Sequence, residues 1–195
     1  MSWKLALGTL AAALLAWLVT PDLAQPARLL TVFLISFLPA LLLVQGRMAE
    51  EVPAELPRTV VYLSSSLALW GLAVVTFLAA RAGGFSLRAL GLMTLPPVPL
   101  LLWSAGTTLV GLALVAAGRA LRLRETPLLE HLLPRTPTEK AAFVGVSVTA
   151  GVCEELVFRG FLIPALDIAT GSLPLAVLLS CAIFGLLHSY QGMIG

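Results

Sequence analysis

The chain has 195 residues, of which 59% are hydrophobic and 11% are charged, and its formal net charge is +2. A soluble domain with this composition would have far more apolar surface than it can bury, so the composition excludes an ordinary soluble protein and indicates an integral membrane protein. The small net charge gives no reason to expect nucleic-acid binding.

Uncharged apolar runs of about the length that crosses a bilayer recur along the chain. A bilayer core requires about 20 mostly apolar residues per helix, and lipid offers no partners for open backbone groups, so each run predicts a transmembrane helix. The first run follows Lys4 and has the length of a signal-peptide core, so a signal peptide cleaved near Ala24 is the alternative there. The runs are 5–20, 29–46, 59–80, 98–118, 141–163 and 173–195.

The predicted fold class is therefore all-α, a polytopic transmembrane helical bundle of about six spans. We divide it into N-terminal transmembrane helices in 1–120, a cytoplasmic connecting loop in 121–140 and a core segment in 141–195. Basic residues in the connections favour one side by eight to three, which predicts a cytoplasmic N-terminus in the cell membrane. The cytoplasmic set is Lys4, Arg47, Arg58, Arg119, Arg122, Arg124, Arg135 and Lys140, and the opposite set is Arg28, Arg81 and Arg88.

Three connecting segments carry local signals. Residues 85–92 predict a short amphipathic segment at the membrane surface. The sequence Thr136-Pro137-Thr138-Glu139 matches a capping box with proline at the first helical position, which predicts the start of the fifth helix. Residues 128–133 predict a helical turn or two that places His131 at the interface, and Arg119, Arg122 and Arg124 are expected to contact membrane lipids.

The two cysteines, Cys153 and Cys181, lie within predicted spans without CxxC spacing. Such cysteines are usually buried thiols, so we expect both side chains to be buried rather than to bind a metal.

Glu154, Glu155 and Arg159 lie inside the fifth apolar run. A charged side chain at the centre of a span costs roughly 2.5–3.5 kcal/mol on insertion scales, so these groups require partners. Glu155 and Arg159 are four residues apart, on one helical face, and predict an ion pair. Glu154 is rotated by about 100° from Glu155 and is left for another partner. A carboxylate desolvated without a full counter-charge holds a proton more readily, as a general base requires.

The sixth run contains a histidine that is a candidate acid–base or oxyanion group. His188 is four residues after Phe184 on the same helical face. Straight helices centred near Val152 and Phe184 would separate Glu154 and His188 by about 9 Å in depth, a gap that helix tilt can close. The alternative is that Glu154, Glu155 and Arg159 only form an ion network that joins helices.

The order Glu154-Glu155-x-x-x-Arg159, then Phe184-x-x-x-His188, resembles the signature of the CPBP intramembrane endopeptidases, also called the Abi family. This family includes the CAAX prenyl endopeptidases of the Rce1 type and bacterial lysostaphin-resistance proteins. The resemblance covers 136–195 and implies a hydrolase of the CAAX prenyl protease 2 type that needs no cofactor.

The resemblance also assigns roles to residues. Glu154 would activate the attacking water and His188 would assist it at the scissile carbonyl, while Glu155 and Arg159 would shape and neutralise the site. Phe184 and Phe158 are expected to line the substrate cavity. The implied partner is a membrane-associated peptide or a lipidated, possibly prenylated, protein.

The resemblance leaves alternatives open. Family members usually have a later helix with a His-x-x-x-Asn motif, and no such motif follows His188. The C-terminal part of the family core is therefore expected to be missing. The chain would then be either a fragment of a longer protein or an inactive, degenerate member of the family. Zinc bound by His188 and Glu154 is a second mechanism, less favoured because the region has one histidine and no His-Glu-x-x-His. A non-catalytic immunity factor or scaffold, and a transporter, are the competing functional classes.

Overall fold

The computed structural model describes residues 3–49, 57–121 and 132–188, which form helices joined by turns and contain no strand. We number the helices in chain order, and two of them include a π-helical segment. They are α1 (Trp3–Val19), α2 (25–49), α3 (Arg58–Ala82), α4 (Pro97–Ala120), α5 (Pro137–Thr170) and α6 (Leu173–Leu187).

The all-α membrane bundle predicted from the sequence is confirmed. Among the residues that the structure describes, four helices are long and apolar enough to cross a membrane, namely Gln25–Val44 within α2, together with α3, α4 and α5. The helices α1 and α6 are apolar but shorter, and residues 189–195 of the sixth predicted span lie outside the described residues. The four longer helices thus account for the second to fifth predicted spans.

The fifth helix begins at the predicted capping box. The Thr136 hydroxyl accepts a hydrogen bond from the Glu139 N–H at 3.2 Å, and the Glu139 carboxylate accepts one from the Thr136 N–H at 3.1 Å. The helix continues past the predicted end at 163 to Thr170, where Gly171 takes the left-handed conformation with φ +65°. Residues 128–131, including His131, lie outside the described residues.

The two π-helical segments, Phe33–Phe37 in α2 and Glu155–Leu162 in α5, were not predicted from the sequence. Each ends two residues before a proline, Pro39 or Pro164. A proline inside a helix lacks the N–H of the α-helical ladder, and its ring crowds the carbonyl four residues earlier, so the α-helical pattern is disfavoured in the preceding turn. In both segments the residue before the proline bonds to a carbonyl five residues back. The segment in α5 contains Glu155 and Arg159.

The hydrophobic core lies around the π-helical segment of α5. Phe161 and Leu162 there are fully buried, and they pack in one cluster with residues of α2, α3 and α6. The connection between α3 and α4 contributes Phe85 and Leu90, which are 7% and 2% exposed. The amphipathic segment predicted at 85–92 thus buries these two apolar side chains, while Leu87 and Leu92 of the same segment are 47% and 48% exposed, and its location at the membrane surface stays a prediction. In contrast, α4 has no buried residue, so none of its faces packs into the described core.

Gly160 is required by the close approach of the α3–α4 connection to α5. A Cβ at this position would lie 2.7 Å from the Leu90 carbonyl oxygen, which is backbone and cannot rotate away. Gly160→Ala is therefore expected to lower the free energy of unfolding by about 1–3 kcal/mol through overpacking. Thermal or denaturant unfolding of the purified protein in detergent measures this change.

Gly151→Ala is the matched control on the same helix. A Cβ at Gly151 meets nothing within 4 Å, so alanine there is expected to be neutral or to stabilise the helix by roughly 0.5–1 kcal/mol. Equal effects of the two substitutions would contradict the assignment of Leu90 as the restricting contact.

Candidate functional site

Glu154 is the last residue of the α-helical part of α5, directly before the π-helical segment. Its side chain is 24% exposed, and its Oε1 lies 3.8 Å from Nε2 of His188. The structure thus brings together the two residues whose depths the straight-helix estimate separated by about 9 Å. The 3.8 Å separation exceeds a direct hydrogen bond, so the two atoms face each other across a narrow gap.

His188 is held at the C-terminal end of α6. Its backbone N–H bonds to the Phe184 and Gly185 carbonyls, and its ring Nδ1 lies 2.9 Å from the Phe184 carbonyl oxygen. A carbonyl oxygen can only accept, so Nδ1 carries a proton in this arrangement, and Nε2 is left to face Glu154.

The facing atoms restrict the protonation of this pair. When the imidazole is neutral and the carboxylate is ionised, Nε2 and Oε1 are both acceptors and repel each other. The arrangement is stable with one proton on either group, or with a donor such as water between them. The pair therefore suits a reaction in which a water is deprotonated and the same proton is passed on.

The Phe184 ring contacts three residues of the predicted site. Its centroid is 4.2 Å from that of the His188 ring and 5.1 Å from that of Phe158, and the guanidinium carbon of Arg159 lies 4.4 Å from it. The last contact has the geometry of a cation–π interaction. Phe158 itself is only 3% exposed. Phe184 therefore links Arg159 to His188, while Phe158 supports it from the core.

Glu155 and Arg159 form the ion pair that their spacing predicts. The distance from Glu155 Oε1 to Arg159 Nη1 is 3.5 Å, and the two side chains are 64% and 41% exposed. Both side chains lie on the outside of the described bundle. The two adjacent glutamates therefore have different surroundings, since Glu154 faces His188 and Glu155 points outward.

Sequence reasoning missed two residues. The buried Ser180 hydroxyl of α6 donates to the Phe158 carbonyl at 3.1 Å and joins α6 to the π-helical segment. Asp167 lies in the last turns of α5 rather than in a loop. The sequence offered one signal for each residue. Ser180 is the single hydroxyl side chain in the apolar run 173–187, and Asp167 is a single carboxylate that follows Pro164.

The cysteine prediction holds for one residue of two. Cys153 is 1% exposed, as expected, but Cys181 is exposed on α6, so that part of the prediction is wrong. Within 3–49, 57–121 and 132–188, no three His, Cys, Asp or Glu side chains lie close enough together to hold a metal ion.

Comparison with known proteins supports the resemblance in the C-terminal part of the chain. Residues 136–195 match the family described as "Type II CAAX prenyl endopeptidase Rce1-like". No curated protein and no solved structure matches the chain. The matched segment contains α5 and α6, and with them Glu154, Glu155, Arg159 and His188.

Proposed function

We propose, from the match of residues 136–195 to the Rce1-like family, that this membrane protein is an intramembrane endopeptidase that hydrolyses a peptide bond with a water activated by Glu154. The observation that carries the proposal is the 3.8 Å approach of Glu154 Oε1 to His188 Nε2. The two groups are placed to share one proton during a hydrolytic cycle.

The proposed reaction uses both groups in turn. Glu154 removes a proton from water as its oxygen attacks the scissile carbonyl, and a tetrahedral intermediate forms. The proton that Glu154 has taken moves across the gap to Nε2 of His188 and from there to the leaving nitrogen, and the carbon–nitrogen bond breaks. The products are an amine and a carboxylic acid, which then ionises, so the proton taken from water ends on the amine and both side chains return to their starting state.

Arg159 and Phe184 organise the site in this proposal. The guanidinium lies over the Phe184 ring and beside Glu155, so it places a fixed positive charge near the reacting groups. The Phe184 ring packs against the imidazole, and the Phe184 backbone carbonyl accepts a hydrogen bond from Nδ1 of the same imidazole. A preorganised charge of this kind favours the negative charge that develops on the attacked carbonyl.

In this proposal the protein lies in the cell membrane with its N-terminus in the cytoplasm. Its substrate is a membrane-associated peptide or a lipidated protein, and prenylated proteins are the first class to test. The long apolar helices α3 and α5 offer surfaces against which such a substrate can lie within the bilayer. A substrate tethered to the membrane meets the site at a high effective concentration.

The test is cleavage of a membrane-anchored peptide by the full-length protein in lipid nanodiscs, in water enriched in ¹⁸O. Hydrolysis is expected to place one ¹⁸O atom in the new carboxylate, and the anchored peptide is expected to be cut much faster than the same peptide without its lipid. Activity is expected to survive a strong zinc chelator. Loss of activity with the chelator and its return with zinc would favour the zinc mechanism, and no cleavage of any anchored peptide would contradict the proposal.

A further inference from the structure

Asp167 is a carboxylate that the proposed reaction does not use. It is half-buried in α5, 13 residues after Glu154, which corresponds to about 20 Å along the helix. Among the described residues, no hydrogen bond or ion pair reaches its carboxylate. It lines an open cavity of about 370 Å³ with residues of the α3–α4 connection and α5, namely Gly83, Gly84, Phe85, Ser86, Ala89, Pro164 and Ile168.

The cavity lies at the ends of two candidate membrane spans. Helix α3 ends at Ala82 and α5 ends at Thr170, so the depression opens where helices of this length reach the headgroup region of a bilayer. Leu87 and Ile168 near it are 47% and 49% exposed. A carboxylate that faces an open cavity there can accept charge-assisted hydrogen bonds from a cationic headgroup, so a ligand that brings a positive charge would be favoured.

A positive charge of the protein is hydrogen-bonded to a residue of the same cavity. Arg81, in the last turn of α3, donates from Nη1 to the Phe85 carbonyl oxygen at 2.7 Å, and Phe85 is one of the lining residues. A guanidinium has five N–H donors, so this bond leaves others available. The cavity is thus lined by an anionic group, Asp167, and a cationic group, Arg81, is hydrogen-bonded to the backbone of another of its lining residues.

We propose that this cavity binds the headgroup of a zwitterionic phospholipid that has a primary ammonium, as in phosphatidylethanolamine. The ammonium would donate to the Asp167 carboxylate and the phosphate would accept from Arg81, so the ligand matches both charges. A trimethylammonium headgroup has the same charges but no N–H donor, and a glycerol headgroup has no cation. The inference does not depend on the proposed hydrolysis, since none of its residues belongs to that site.

Native mass spectrometry of the full-length wild-type protein tests the headgroup requirement without any substitution. The protein is released from micelles containing equal amounts of phosphatidylethanolamine, its mono- and dimethyl derivatives, phosphatidylcholine and phosphatidylglycerol with identical acyl chains. Occupancy is expected to fall stepwise with methylation, by about tenfold in total, because each methyl group removes a donor to a charged acceptor. Equal occupancy of all five lipids would overturn the proposal.

Soluble glycerophosphoethanolamine distinguishes a membrane lipid from a free ligand. We expect it to displace the lipid only at high concentration, because it lacks the acyl chains that lie against the exposed apolar residues near the cavity. Displacement at equal concentration would overturn the lipid as the ligand.

Asp167→Asn tests the residue assigned to the ammonium, with Asp22→Asn as its matched control. Asp22 is exposed in the connection before α2, at the end of the bundle where Gly83 approaches Ala27, and it does not line the cavity. Asp167→Asn is expected to reduce the preference for phosphatidylethanolamine over phosphatidylcholine about tenfold, and Asp22→Asn is expected to leave it unchanged. Retention of the preference in Asp167→Asn, or equal loss in both variants, would overturn the site. If Asp167→Asn does not fold, the wild-type headgroup series still decides the proposal.

Discussion

Glu154→Gln is expected to reduce peptide hydrolysis by about a thousandfold or more while the protein remains folded and inserted in the membrane. Glutamine has the shape of glutamate but cannot take a proton from water, so the loss reports the general-base role. Its amide has the size of the carboxylate and can face His188 Nε2 across the same 3.8 Å gap, so we expect the local geometry to be preserved. The measurement is the initial rate of cleavage of the membrane-anchored peptide, with helicity and elution volume as checks on the fold.

Glu155→Gln is the informative comparison, because it removes the same charge from the adjacent residue. Glu155 points outward and pairs with Arg159 at 3.5 Å with 64% of its side chain exposed, so we expect a decrease of about tenfold or less. Comparing the two variants distinguishes the effect of losing a negative charge anywhere in the span from the effect of losing the carboxylate that faces His188. A non-catalytic scaffold predicts the opposite order, in which Glu154→Gln is harmless and breaking the Glu155–Arg159 pair impairs folding.

The sequence predicts the helices of this fold better than their packing. Apolar runs locate the helices because the bilayer imposes both length and hydrogen bonding, and the capping box at Thr136 locates one helix start. Hydropathy in a membrane span is nearly uniform, so its periodicity does not distinguish a face that contacts lipid from one that contacts another helix. The lack of buried residues in α4 and the burial of Phe85 and Leu90 therefore required the structure.

The site shows the same division between what spacing predicts and what packing decides. The four-residue spacing predicts the Glu155–Arg159 pair, which the structure contains. The depth estimate for Glu154 and His188 assumed straight helices centred in the membrane. In the structure, His188 follows the last residue of α6, and a π-helical segment follows Glu154 in α5, so the assumption of two regular straight helices fails. The protonated Nδ1 of His188 depends on the position of a single backbone carbonyl, which no sequence pattern encodes.

His188→Asn and His188→Gln are each expected to reduce hydrolysis by about 10²–10⁴-fold, and together they separate chemistry from structure. The asparagine amide nitrogen occupies the position of Nδ1 and can still donate to the Phe184 carbonyl, but nothing then faces Glu154. The glutamine amide reaches the position of Nε2 and loses the bond to that carbonyl. We therefore expect only His188→Gln to lower the free energy of unfolding, by about 1 kcal/mol for one hydrogen bond.

The decisive measurements for His188 are the cleavage rate as a function of pH and the unfolding free energy of both variants. If Nε2 transfers a proton, the residual activity of both variants lacks one ionisation that the wild-type profile shows. If His188 only caps α6, the asparagine variant keeps the carbonyl bond, the stability and the wild-type pH profile. Retained activity in His188→Asn would therefore assign the imidazole to the support of α6 and leave Glu154 as the sole proton-transfer group of the site.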